Sequence, residues 1–436
     1  MTKPEPLLTG MPYVPGIAHG ILRHGLNDNP AGCIVLLDAP LPGPWQQLPT
    51  GFVVIDGAPL SHAMIPLLGS GVPTVIVTRE QAEHLQVGRM VMLDGASGRI
   101  TTAAGATGAD LSAASPAAPA VAAAGRSADG TRVLLCVSAR DVQSVRRAVI
   151  HGVDAIGLVR SEYLAPVDGH LPDATFYRAA FRALCEAAGE LPVTIRLIDI
   201  AADKQPAWLP PEVGVGGALG LQGVRLYHDE PLRSIYLAQL EAIATLAAEF
   251  RLRVLLPYVA DRDELQYWID NLRLQLPAGI PLGAMAETPA AALQLGEWCG
   301  IADFVGLGCN DLMQCLFGAD RDRPELRHYL NPHAPVLYRF LREVAATGRD
   351  QLGRVQLCGV LPQLPGILPV LLGLGFRVFS VEAAQLTWLG QAIANTRLCD
   401  AESLAERVCR ARSPAEVSAL LARGLPVPAG RDESVV

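Results

Sequence analysis

Eight short apolar runs, each four to six residues long and separated by helix-compatible stretches, occupy residues 133–137, 155–159, 193–198, 254–259, 282–286, 304–307, 355–358 and 378–381. A strand this continuously apolar is covered on both faces, and strands that alternate with helices lie parallel. Eight such units predict a closed (β/α)₈ barrel. The other solution to the same pattern is an open, doubly wound sheet.

Upstream lies a unit of different character. Short β-branched runs at 33–37, 52–55, 74–77 and 90–93 are punctuated by Gly, Pro and Asp, and a helix is expected from about His62 to Leu68. The result is an α/β chain with a small β/α domain over residues 1–104. Residues 105–130 read GATGADLSAASPAAPAVAAAGRSADG. They are too poor in large apolar side chains to bury a core and are expected to form a flexible linker. The barrel domain then covers 131–425. It closes with one or two amphipathic helices from residue 401, the second starting at Ser413-Pro414, and 426–436 form a tail.

Composition removes several function classes. A net charge of −8 leaves no basic surface for non-specific nucleic-acid binding. The opening MTKPEPLLTGMPYVPG has no apolar signal-peptide core. The longest uncharged stretch, between Arg354 and Arg377, is interrupted by Pro362, Pro365 and Pro369, so no membrane partner is expected. Nine cysteines without CxxC spacing fit neither a disulfide framework nor a zinc site, which points to the cytoplasm.

In a β/α barrel the C-terminal strand ends share one mouth, where active sites form. Arg160 and Glu162 follow the second run. Arg196 and Asp199 belong to the third, with Lys204 beyond. Glu287 ends the fifth, Asn310 and Asp311 follow the sixth, and Cys358 ends the seventh. Any one of these could be a rim salt bridge. Together, two carboxylates with an amide suit a hard cation such as Mg²⁺. Fixed guanidinium groups suit a ligand carrying phosphate and carboxylate, and a lone thiol can give a proton. In the small unit, Ser61-His62 opens the short helical run. His62 there is either a phosphoryl carrier favoured by free N–H groups, or a surface or capping residue.

With these residues together the chain resembles the enzyme I family, the phosphoenolpyruvate–protein phosphotransferases of the sugar transport system. Pyruvate phosphate dikinase and phosphoenolpyruvate synthase share its two modules. The matching segments are VPGIAHG at 14–20, GAPLSHAMIPLLGSGVPTVI at 57–76, GVDAIGLVRSEY at 152–163, VTIRLIDIAADK at 193–204, GLQGVRL at 220–226, AMAETP at 284–289, GCNDLMQCLFGADR at 308–321 and LCG at 357–359. The likeness continues through LLGLGFRVFSV at 371–381 and covers nearly the whole chain except the linker. It implies a swivelling phosphohistidine domain and a phosphoenolpyruvate (PEP)-binding barrel that also forms a homodimer. By the same resemblance His62 is the phosphorylated nucleophile, Glu287 and Asp311 bind Mg²⁺, and Arg160, Arg196, Arg225, Asn310 and Arg321 hold PEP with Lys204 nearby. Cys358 would protonate the enolate carbon to give pyruvate.

The match has gaps. About forty residues separate VPGIAHG from His62, with no room for the helical domain that recognises the small carrier protein HPr. The ATP-grasp module of the dikinases is absent too. Leu60 stands where the family has Thr, Ala201-Ala202 replace Gly-Gly, Gln222 replaces Arg, Cys309 replaces Thr and Val360 replaces Glu. The expected partner is therefore either an HPr-like phosphoacceptor protein or, for half of a split dikinase, a separate ATP-grasp protein. A PEP sensor that binds without transfer is the non-enzymatic alternative.

Overall fold

The computed structural model describes residues 7–26, 29–40, 45, 47–102, 125–166, 169–201, 205–206, 208–210, 213 and 219–423. The N-terminal unit is one mixed sheet. Its strands are β1 (Leu8–Thr9), β2 (Met11–Val14), β3 (Ile17–His24), β4 (Cys33–Leu37), β5 (Gly51–Ile55), β6 (Thr74–Val77), β7 (Met90–Asp94) and β8 (Arg99–Thr102). Their order is β1-β8-β7-β3-β4-β5-β6-β2, with β3 to β6 mutually parallel. Every residue of β4 and β5 is buried, which is why both read as unbroken apolar runs. β3 was not foreseen. Its buried positions are Ala18, Gly20 and Leu22, interleaved with His19 and Arg23, so its apolar signal is weak.

The helix expected from His62 begins later, at Ile65, and ends at Ser70. Residues 61–64 form a turn, with Met64 N donating to Ser61 O at 3.0 Å, and Pro66 lies in the helix's first turn. His62 thus stands on the turn leading into a short helix, and the helix N-terminus is not what holds it.

The C-terminal unit is the closed barrel. Its strands are β9 (Leu134–Ala139), β10 (Ala155–Arg160), β11 (Val193–Arg196), β12 (Leu252–Val259), β13 (Leu282–Ala286), β14 (Phe304–Gly308), β15 (Val355–Cys358) and β16 (Val378–Val381). They pair in sequence order, all parallel, and β16 closes on β9 through Val378↔Leu134. The open-sheet alternative is excluded. Helix side chains such as Tyr177, Phe181, Trp298 and Tyr338 are fully buried against the strands. Burying a side chain of that size stabilises by roughly 1.5–3 kcal/mol. Inside the barrel, Leu158, Leu255, Met285, Phe304 and Cys358 form a separate apolar cluster. The floor of the mouth is therefore apolar.

Most of the expected linker lies outside the described residues. Its last residues, 125–130, are folded onto the barrel: Ala128 N donates to Thr396 O at 2.9 Å, and Asp129 accepts from Leu398 N at 2.8 Å. These bonds hold the start of the barrel unit to its C-terminal helices, Leu398–Arg410 and Pro414–Arg423. The second helix begins at Pro414 as expected. The tail from 426 also lies outside the described residues. Among the described residues, no helix is long and apolar enough to cross a membrane.

Candidate active site

The small domain sits on the barrel mouth. Gln385, just after β16, donates to Leu68 O at 3.0 Å, and Arg327 pairs with Asp56 at 3.0 Å. Beneath this seam lies a pocket. Arg160, Arg196, Glu287, Asn310, Asp311, Arg321 and Cys358 all line it, and Ile65 reaches it from the small domain. Seven residues singled out from sequence are thus gathered from five strand ends. Arg225 is not among the lining residues. It sits on the turn Gly223–Leu226, with its guanidinium over the Tyr258 ring, and donates to Gly220 O at 2.9 Å. Lys204 lies outside the described residues.

The charges form one network. Arg196, 3% exposed, pairs with Asp199 at 2.7 Å, closely with Glu162, and with Glu287 at 3.9 Å. Burial alone would make this guanidinium easier to deprotonate. The Asp199, Glu162 and Glu287 carboxylates outweigh that and hold it charged. Arg160 pairs with Glu162 at 3.3 Å, and Arg321 with Asp311 at 3.1 Å. Three guanidinium groups, those of Arg160, Arg196 and Arg321, thus face Glu162, Asp199, Glu287 and Asp311.

Two of these carboxylates, Glu287 and Asp311, line the pocket. Among the described residues, no group of three His, Cys, Asp or Glu is placed to enclose a metal alone. Glu287 and Asp311 supply hard oxygens to one pocket, and a small divalent ion that keeps waters and takes substrate oxygens fits such a half-site. Glu287 is held in place: its Oε2 accepts from Tyr258 N at 3.0 Å. Tyr258 has φ +48°, a rare value for a residue with a large side chain. A methyl group on Gly308 would lie 2.5 Å from Glu287 Cγ, so the glycine leaves the carboxylate its room.

Asn310 Oδ1 accepts from Val360 N at 2.9 Å, which turns the oxygen toward the backbone and leaves the amide NH₂ as the end suited to a phosphate or carboxylate. Gly359, with φ +105°, permits that approach, since a Cβ there would stand 2.7 Å from Asn310 Oδ1. Cys358 is buried at the pocket wall and accepts from Gln356 Nε2 at 3.3 Å. Burial pushes its thiol up to about 11, with the Gln356 bond opposing the shift. The group is a neutral S–H at neutral pH.

His62 enters this site from the other domain. Its Nε2 lies 3.1 Å from Arg321 Nη2, the same nitrogen that pairs with Asp311. Its Nδ1 lies 2.9 Å from Asp322 Oδ2, and its backbone N–H donates to Asp322 Oδ1 at 3.0 Å. Asp322 was not singled out from sequence, although it adjoins Arg321. Tyr258 was missed as well. Glu382, after β16, lines the pocket and pairs with Arg140 at 3.6 Å. Burial raises its carboxyl, and Arg140 and Arg160 counter this.

A model of the PEP-binding domain of PEP-utilising enzymes matches residues 116–398. A phosphoenolpyruvate-protein phosphotransferase of Streptomyces coelicolor is 33% identical over 376 residues, which is 84% of this chain and 66% of that protein. A protein of the same name from Haloferax volcanii is 28% identical, covering 92% of this chain and 73% of the relative. A multiphosphoryl transfer protein of Rhodobacter capsulatus is 28% identical over 92% of this chain but only 50% of its own length. The chain thus spans between half and about three quarters of these relatives.

Proposed function

Because the chain belongs to the PEP-utilising enzymes, we propose that it moves the phosphoryl group of PEP onto Nε2 of His62 and releases pyruvate. The observation that carries this reading is the seating of His62. An imidazole from a separate sheet domain is bonded to Arg321, which is itself paired with a carboxylate of the barrel mouth.

Phosphoryl transfer asks mainly for alignment and charge neutralisation. Arg160, Arg196 and Arg321 grip the phosphate and carboxylate of PEP, and the Asn310 amide adds a neutral donor. Arg225 and Lys204 are assigned to PEP by the resemblance alone. Glu287 and Asp311 would hold Mg²⁺, which supplies further neutralisation of the phosphoryl oxygens. Nε2 attacks phosphorus, the N–P bond forms, and the bridging P–O bond breaks with its electron pair leaving on the enolate. Cys358 then gives its proton to the methylene carbon and regains one from solvent. The phosphorylated domain leaves the mouth and delivers the group to an acceptor protein, in keeping with the name the relatives carry. Ion pairs and hydrogen bonds of Arg327 with Asp56, Gln385 with Leu68 and His62 with Asp322 seat it, alongside apolar packing around Ile65, Leu67 and Leu68.

Labelled PEP with Mg²⁺ should put acid-labile label on the protein in step with pyruvate, and a chelator should stop both. Binding of PEP with neither label nor pyruvate would overturn the proposal in favour of a sensor.

Cys358 has its own signature. Cys358→Ala should bind PEP and take label, yet form pyruvate about 10²–10⁴-fold more slowly. The reverse step, proton removal from the pyruvate methyl group, needs the thiolate. With the thiol at about 11, only about 10⁻⁴ is ionised at pH 7, so methyl exchange should climb roughly tenfold per pH unit until the thiol titrates. An exchange rate flat in pH, or normal pyruvate release by Cys358→Ala, removes this role.

A further inference from the structure

Two contacts from the barrel decide which nitrogen of the His62 ring carries the proton. Arg321 has donors only, so the ring nitrogen 3.1 Å from it, Nε2, must accept. An ionised carboxylate has acceptors only, so the nitrogen 2.9 Å from Asp322, Nδ1, must donate. Both demand the Nδ1–H form, whose Nε2 lone pair meets the pocket-lining Arg321. Asp322 also accepts the His62 backbone N–H at 3.0 Å, so one carboxylate holds both ring and main chain. The residues before the histidine do not do this work: Leu60 is buried and has no polar atom, and Ser61 Oγ donates to Ala58 O at 2.9 Å.

Resting on the transfer reading above, we propose that Asp322 is the positioning residue of His62, supplied by the barrel and therefore acting only while the two domains are docked. It fixes the tautomer and the ring plane. It also faces the positive charge that grows on the ring as the N–P bond forms, while the Nδ1 proton stays where it is. Its carboxyl is correspondingly easy to ionise: burial pulls it upward, but the His62 bonds and charge hold it below the ordinary Asp range. The undocked histidine lacks this partner, so a domain away from the mouth carries an unprimed ring. Priming then coincides with docking at the barrel mouth.

The test uses the full chain and two variants. Asp322→Ala should lower the single-turnover rate of label transfer about a hundredfold, with equilibrium PEP binding unchanged because Asp322 does not line the pocket. Asp322→Asn has one oxygen where His62 uses two, so an amide N–H meets one of the His62 donors and the variant should be no faster than Asp322→Ala. ¹⁵N spectra of the His62 ring should show the Nδ1–H form in the unaltered protein and a shift toward Nε2–H in both variants. That spectral change is one a merely structural role would not cause. A rate within threefold of normal and an unchanged ring in Asp322→Ala overturn the proposal, as does a parallel loss of PEP affinity in both folded variants. If the unaltered protein takes no label at all, the transfer reading fails, and the ring spectra still decide whether Asp322 holds the histidine.

Discussion

His62→Ala is expected to abolish acid-labile labelling from PEP and to reduce pyruvate release to whatever water can achieve. The effect should be complete because the nucleophile is removed, and neighbouring groups cannot replace it. Ser61, the adjoining hydroxyl, already donates to Ala58 O within its own turn. Ile65 is the small-domain residue that lines the pocket, and it has no nucleophilic atom. PEP affinity should survive, since Arg160, Arg196, Asn310 and Arg321 are untouched. Docking should weaken, because His62 bonds Arg321 and Asp322 across the seam. Label counting, pyruvate release and ligand titration on the same variant separate these effects. Label of normal stoichiometry in His62→Ala would mean that another residue accepts the phosphoryl group.

The barrel was legible because its physics is local. Each parallel strand buried on both faces must be apolar throughout, so LGAMA at 282–286 and VFSV at 378–381 declare themselves. The mouth was legible for a related reason: charged residues at the end of a buried strand stand out, as Glu287 does after Leu282–Ala286. The gaps lie where partners are distant or a conformation is unusual. Asp322 and His62 are separated by 260 positions, and only the docking of two domains makes them neighbours. Tyr258 aims its N–H at Glu287 through a positive φ that no apolar pattern encodes. The helix near His62 was placed too early because periodicity does not mark helix starts, whereas Pro66 is tolerated only in a helix's first turn and so fits the start at Ile65. Arg225 was carried over from a motif, and the motif does not say that its guanidinium lies over the Tyr258 ring and not among the lining residues.

Arg196→Met should be the most damaging change in the barrel, to folding as well as to transfer. The side chains of Glu162, Asp199 and Glu287 are 1%, 5% and 4% exposed, and Arg196 is the cation they share. Removing one member of a buried ion network leaves uncompensated charge and costs about 3–5 kcal/mol. Loss of one fixed donor to the developing phosphoryl charge should slow transfer by a further 10²–10³-fold. The sign of the pH response separates this cause from simple loss of packing. Protonating a buried carboxylate that has lost this cation removes uncompensated charge, so the stability gap to the unaltered protein should narrow as pH falls from 7 to 5, whereas a cavity would leave it constant. Arg196→Lys should regain some stability and little activity, because one ammonium cannot reach Asp199, Glu162 and Glu287 as the planar fork does. Equal rescue of both by lysine would show that charge alone is required at this position, and that the guanidinium geometry assigned to PEP binding is not.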